Sequence, residues 1–254
     1  MTTPSKQTSR RGIFLLPNLL TTSGLFAAFY SIVASMKGLY DVAAMAIFIS
    51  MIADLLDGRV ARATGSQSDF GAEYDSLSDM VSFGLAPALV VYSWSLHQLG
   101  KFGWLAAFVY TAATGLRLAR FNTQHSPASL QYFQGLACPT AAGIVTSFMW
   151  MCHQYQLSGQ RVVIITGVLT VVLAILMVSN LRYYSFKELD FKGKVPFVAI
   201  ILVLLVFVGV ALNPPVVLFV GFSIYGLSGI VISLLRLRHR AQLRRRNGST
   251  SRRK

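Results

Sequence analysis

This sequence is short of charge, and shortest of acid. Only nine of its 254 residues are Asp or Glu, and charged residues make up 13%, about half the ~25% of a typical soluble domain. Hydrophobic residues reach 54% and mean hydropathy is +0.57. Those values exclude a disordered chain and argue against an ordinary soluble one. The two cysteines, Cys138 and Cys152, are too few for a disulfide framework, and their spacing matches no zinc pattern. His153, beside Cys152, reads as a membrane-interface residue. No short period marks a fibrous repeat, and no second half echoes the first. The apolar stretch from Gly12 to Met36 is too long for a signal-peptide core and reads as a retained first span. What remains is an all-α polytopic membrane protein.

A spanning helix needs about 20 mostly apolar residues, because lipid offers backbone polar groups no partner. Eight stretches qualify: 13–36, 39–63, 70–96, 102–122, 139–157, 162–180, 195–212 and 214–235. The uncharged run from Val195 to Leu235 is divided by Asn213-Pro214-Pro215, since proline lacks the N–H that a continuing helix requires. Eight spans place both termini on one side. That side then receives 20 of the 23 Lys and Arg residues, leaving Lys37, Lys101 and Arg161 opposite. Basic residues favour the cytoplasm, so both termini are expected there. The organisation is a basic segment 1–12, a transmembrane catalytic domain 13–235 and a basic tail 236–254. The tail starts at a membrane helix end, so its nearest partners are anionic membrane lipids, not nucleic acid.

Six of the nine acids fall between Asp54 and Asp79. Carboxylates at membrane depth are costly and face the bundle interior or a water-filled cavity. Asp54 and Asp57 are three apart, and Asp75 and Asp79 four apart, so each pair shares a helix face. The short linker Thr64–Asp69 returns the chain antiparallel. At 1.5 Å per residue, Asp57 and Asp54 then lie about 9 and 13 Å below the turn, and Asp75 and Asp79 about 7 and 13 Å. Four carboxylates at matching depths call for cations, and their oxygen chemistry suits Mg²⁺ or Mn²⁺. Two metals would clamp a phosphoryl displacement. Arg59 and Arg62 offer guanidinium forks for phosphate, and Gly58 lets a large ligand approach the backbone. Gly71 does the same on the facing helix, or permits close packing. A structural ion-pair network is the alternative, but two arginines cannot neutralise six acids.

The run Asp54-Leu-Leu-Asp57-Gly58-Arg-Val-Ala61-Arg62, then Gly71-Ala-Glu-Tyr-Asp75-Ser-Leu-Ser-Asp79, resembles the signature of the CDP-alcohol phosphatidyltransferases, D-x2-D-G-x2-A-R-x8-G-x3-D-x3-D. All eight fixed positions match. The resemblance implies a six-helix core, a membrane enzyme that displaces CMP, and a homodimer. It implies that Asp54, Asp57, Asp75 and Asp79 hold two divalent metals, with Asp79 also the general base. It implies that Gly58, Arg62 and Ser68 contact the CDP-lipid, with Asn18 of Pro17-Asn18 bordering the nucleotide.

Three later segments, Arg117–Asn122, Phe133–Gly143 and Ser179–Lys187, look like those of the integral-membrane phosphatidylserine synthases within this family. Ala137-Cys138 departs from that branch, which often has a second small residue or proline there. The resemblance implies CDP-diacylglycerol and L-serine as substrates, phosphatidylserine and CMP as products, and a prokaryotic cell (inner) membrane with a cytoplasmic active site. Arg117 and Arg120 suit the serine carboxylate, and Asn122 suits its ammonium; Arg182 and Lys187 belong to the same expected acceptor set. Positive-inside topology alone would also explain these cations. Two rivals remain. Another acceptor, glycerol 3-phosphate or an inositol phosphate, would call for a richer basic pocket. A cation transporter would usually show repeated halves with broken helices.

Overall fold

The computed structural model describes residues 15–123, 132–184, 197–229 and 231. The segment 1–12, the tail 236–254 and Lys187 lie outside the described residues. The helices are α1 (Leu15–Met36), α2 (Tyr40–Thr64), α3 (Asp69–Asp79), α4 (Ala86–Trp94), α5 (Lys101–Thr123), α6 (Cys138–Gln154), α7 (Val163–Val178) and α8 (Phe197–Leu212), then α9 (Pro214–Gly229). A six-residue π-helical turn, Met80–Leu85, joins α3 to α4 without a break. Among the described residues, the helical segments therefore fall on the eight apolar stretches of the sequence. By length and composition, Leu15–Met36 and Asp69–Trp94 are each long and apolar enough to cross a membrane.

The first helix pair is built from small residues. The buried positions of α1 include Pro17, Thr21, Gly24, Ala28, Ser31 and Ser35; those of α2 include Ala43, Ala46, Ser50, Ala53 and Asp57. Both series step by three and four residues, which keeps one seam facing its partner. Small side chains let two backbones approach closely, the usual way helices associate without a hydrophobic driving force. At Gly24 a Cβ would sit 3.2 Å from the Ala53 Cβ. Asp57 is the last buried member of this seam on α2, so the packing that joins α1 to α2 also buries a carboxylate.

The third segment is central and packs against α1, α2, α5 and α6. Its π turn departs from the single α-helix expected over 70–96. Pro87 has no N–H to give the Phe83 carbonyl four residues back, and the buried Tyr110 hydroxyl of α5 donates to that carbonyl at 3.2 Å. Gly84, inside the turn, faces Thr114 of α5, whose Cβ lies 3.1 Å from where a Gly84 Cβ would be. Helix α9 packs on α6 through Phe148–Phe219, with ring centroids 5.6 Å apart.

One small departure from a purely helical chain occurs where α6 and α7 meet. Strand β1 (Tyr132–Gln134) pairs antiparallel with β2 (Arg182–Tyr184), Gln134 opposite Arg182. The chain leaves β1 through Gly135, at φ +81°, whose N–H donates to the Leu181 carbonyl at 2.8 Å.

Gly135 and Gly38 (φ +75°) both occupy the left-handed region, but only at Gly135 would a Cβ collide with backbone, at the Met177 carbonyl. Gly38→Ala should therefore cost only the left-handed penalty of about 1–2 kcal/mol. Gly135→Ala should cost clearly more. Thermal unfolding of the two variants in detergent checks the order; equal losses would refute it.

Candidate active site

The turn between α2 and α3 sets the site. Helix α2 ends on Gly65 (φ +62°). The Ser66 N–H donates to the Ala61 carbonyl at 3.0 Å and the Gly65 N–H to the Arg62 carbonyl at 3.4 Å, the paired bonds that close a helix at a left-handed glycine. Helix α3 begins at once: the Ser68 Oγ accepts from the Gly71 N–H at 3.0 Å and caps the new helix. With four residues between them, α2 and α3 run back antiparallel, and their acids meet.

Asp54, Asp57 and Asp75 each place an oxygen within 4.8 Å of the others. Asp79 hydrogen-bonds Asp54 through their side chains. The depth matching expected from the sequence, Asp57 beside Asp75 and Asp54 beside Asp79, is the arrangement observed. Asp57 is 4% exposed, and the Thr21 hydroxyl donates to its Oδ2 at 2.7 Å. Asp69 and Glu73 are exposed and stand apart from this cluster.

Two observations bear on whether the cluster suits a cation. Among the described residues, no Lys or Arg lies within ion-pair distance of the four carboxylates. The four also border a small void with Ser50, Ser78 and Ser82, where Asp75 Oδ1 and Ser50 Oγ are buried without a hydrogen-bond partner. Ligands around Mg²⁺ at 2.0–2.1 Å are at most about 4.2 Å apart. Adjacent ligands of such an ion are about 2.9 Å apart, so oxygens up to 4.8 Å from one another would close in around an ion. The donor set is all oxygen, which suits a hard divalent cation.

Above the carboxylates opens a cleft of about 460 Å³, within the usual range for a small-molecule site. Asn18, Gly58, Arg62 and Ser68 line it together with Gln67, Gly71, Asp57 and Asp75. The four residues expected to meet the CDP-lipid are thus brought into one cleft, and Ser68 is also the α3 cap. A Gly58 Cβ would lie 3.7 Å from an Arg62 guanidinium nitrogen, so Arg62 folds back over the bare Gly58 backbone. Gly71 is a packing glycine: a Cβ there would sit 3.1 Å from Ser68 Oγ and 3.5 Å from Asn18 Oδ1. Arg59 is exposed and does not line the cleft.

Of the expected acceptor residues, Arg117, Arg120 and Asn122 gather on the opposite flank of the third segment. Asn122 Nδ2 donates to Ser76 Oγ at 3.0 Å, next to Asp75. An Arg120 guanidinium nitrogen donates to Asn180 Oδ1 at 2.8 Å. Arg117 donates to the Cys138 thiol at 3.3 Å. The β1–β2 ladder brings the Arg182 backbone beside Gln134. The segments 117–122, 133–143 and 179–184, far apart in sequence, are therefore neighbours. Arg117 and Arg120 share a face of α5.

Sequence reasoning missed Thr21 and Ser50, which bring hydroxyls to the carboxylates. Thr21 stands four residues after Pro17 in the α1 seam, a signal legible only once α1 is known to pack on α2. His153, read as an interface residue, lies 3.6 Å from Asp41. That pair lines a larger cleft of about 700 Å³ with Trp94 and Trp150. This cleft is at the other end of α2 and holds none of the expected site residues.

Comparison with known proteins identifies the family. A CDP-diacylglycerol–serine O-phosphatidyltransferase of Helicobacter pylori (strain J99) is 35% identical over 220 residues, 86% of this chain and 91% of that protein. One from Bacillus subtilis (strain 168) is 32% identical over 173 residues, covering 68% and 92%. One from Methanocaldococcus jannaschii is 36% identical over 142 residues, covering 56% and 63%. The family model described as CDP-alcohol phosphatidyltransferase matches residues 14–178, a range that holds both carboxylate pairs, the cleft and α5 to α7. The chain belongs to the CDP-alcohol phosphatidyltransferase family and is a phosphotransferase of phospholipid biosynthesis.

Proposed function

We propose that this protein transfers the phosphatidyl group of CDP-diacylglycerol to L-serine, giving phosphatidylserine and CMP, as an eight-span membrane enzyme with its site at the cytoplasmic face. The observation that carries the acceptor is the convergence of segments 117–122, 133–143 and 179–184 beside the carboxylates. The shared name of the similar proteins supports it. The homodimer expected from the resemblance belongs to the same proposal, as does the bilayer around the spans.

In this reading the cleft takes the CDP moiety. Arg62 meets a phosphate with its planar donor fork, and the missing side chain of Gly58 leaves room for the diphosphate against α2. Asn18 closes the cleft from α1. Asp54, Asp57, Asp75 and Asp79 would hold two divalent ions, Mg²⁺ or Mn²⁺. When bound, these supply charge neutralisation to the diphosphate and to the departing CMP.

Arg117 and Arg120 receive the serine carboxylate, and Asn122 the ammonium; Arg182 and Lys187 complete the acceptor side. The serine hydroxyl oxygen attacks the phosphorus that carries diacylglycerol. The bond from that phosphorus to the bridging oxygen breaks, and CMP leaves with the electron pair. Asp79 takes the hydroxyl proton. The Thr21 hydroxyl holds Asp57 in place throughout.

Purified protein supplied with CDP-diacylglycerol and Mg²⁺ or Mn²⁺ should release CMP when L-serine is added. Release stimulated by glycerol 3-phosphate and not by serine overturns the acceptor. Treatment with EDTA should abolish turnover, and added Mn²⁺ should restore it. Direct Mn²⁺ titration should show weaker binding in Asp57→Asn, and unchanged binding would refute the ligand assignment. Asp79→Asn should lower turnover by about 10²–10⁴-fold, the range for general acid–base catalysis, with a smaller loss of CDP-diacylglycerol binding. Near-normal turnover at saturating metal and serine would remove Asp79 as base.

A further inference from the structure

We infer that Cys138 is a positioning residue for the acceptor amino acid: its thiol anchors the Arg117 guanidinium and leaves Nε for the acceptor's carboxylate. This rests on the acceptor reading above and adds the residue that orients it.

Arg117 is partly buried in α5, and among the described residues it has no carboxylate partner. One terminal nitrogen donates to the Cys138 Sγ at 3.3 Å, and Nε is buried with no acceptor at all. A thiol is a weak acceptor. A partly buried cation that donates to a neutral thiol and leaves its Nε–H orphaned is costly until an anion arrives. Its surroundings sharpen the point. Cys138 opens α6, and the N-cap Ala137 makes no side-chain cap. The guanidinium therefore stands near the positive end of a 17-residue helix, an arrangement that disfavours a cation and favours an anion.

Depth places this anion beside the chemistry. Met80 lies against Gly115, and Ser76 accepts from Asn122, so Arg117 stands level with the segment that carries Asp79.

The anchor is rigid where the arginine is not. Cys138 is 0% exposed and is followed by Pro139, whose φ is fixed. The Leu136 N–H donates to the Leu176 carbonyl at 3.0 Å, and Gly226 of α9 packs at Ile144 and Leu136. A neutral thiol can orient a guanidinium without cancelling its charge; an Asp or Glu there would compete with the substrate.

The anion is a carboxylate if it comes from the acceptor, or a phosphate oxygen if it comes from the CDP-lipid, and kinetics separates the two. Full-length protein in mixed micelles is assayed for CMP release while L-serine and CDP-diacylglycerol are varied in turn, with thermal unfolding followed in parallel. Cys138→Ala should raise the serine KM about tenfold, the effect of losing one modest contact to a charged group. The kcat and the CDP-diacylglycerol KM should stay within about twofold. Cys138→Ser keeps an acceptor and should restore the serine KM. The proposal is overturned if Cys138→Ala raises the CDP-diacylglycerol KM instead, or if a folded Cys138→Ser fails to restore the serine KM. It is also overturned if Cys138→Ala changes neither KM while Arg117→Ala raises the serine KM; in that case the acceptor reading survives without the anchor. If Arg117→Ala leaves the serine KM unchanged, both fall.

Discussion

Burying several negative charges together at the end of an apolar bundle is the constraint on which the rest of this structure depends. Removing each ion from water costs several kcal/mol even after relaxation, and like charges within 4.8 Å of one another add repulsion. The fold supplies part of the compensation through hydroxyls. Thr21 donates to Asp57, and it can do so because α1 lies close against α2. That closeness in turn needs Gly24 opposite Ala53. A seam of small residues is thus the mechanical condition for the electrostatic one. The acids sit where the seam meets the four-residue turn, at one end of the bundle.

The central segment separates two tasks. On one flank, α1 and α2 join it to make the cleft that holds Asn18, Gly58, Arg62 and Ser68. On the other, α5, α6 and α7 bring Arg117, Arg120 and Asn122 together with the starts and ends of their neighbours. The Ser76–Asn122 contact ties the two flanks one residue from Asp75. In the proposed reaction, a donor and an acceptor approaching from opposite flanks would meet at the carboxylates. Helices α8 and α9 lie beyond the range matched by the family model. Through Gly226, α9 buttresses the α6 end of the acceptor flank.

The acids and their depths were legible in the sequence because helical spacing and a short turn leave little freedom. Three and four residues put each pair on one face, and the turn fixed their relative height. Helix positions were legible for a similar reason, since long apolar runs and Asn213-Pro214-Pro215 leave few divisions. The π turn was not, because one extra residue in a helical turn barely alters an apolar run; Gly84 and Pro87 are its traces only in hindsight. The β1–β2 ladder escaped because three-residue strands have no period to read. Thr21 and Ser50 escaped because a hydroxyl in a span shows its purpose only when the partner helix is in place. Cys138 was noticed as one of two cysteines and, with Ala137, as a departure from the branch pattern, not as a partner of Arg117. Its contact with Arg117 spans 21 residues and belongs to the packing of α5 on α6.

The π turn also has a consequence for the register of the central segment. An α-helix turns about 100° per residue, and one π turn absorbs a single residue without a break in the chain. The half carrying Asp75 and Asp79 and the half carrying Trp94 are thereby phased independently. One half presents acids to α2, while the other presents Val90 and Val91 to the core. If Met80–Leu85 wound as ordinary α-helix with the same number of residues, one half would turn against the other by about 100°. Either the acids would leave the cleft or the apolar half would leave the core. The winding at this turn is therefore as constrained as the chemistry beside it, although no residue in the turn need touch a substrate.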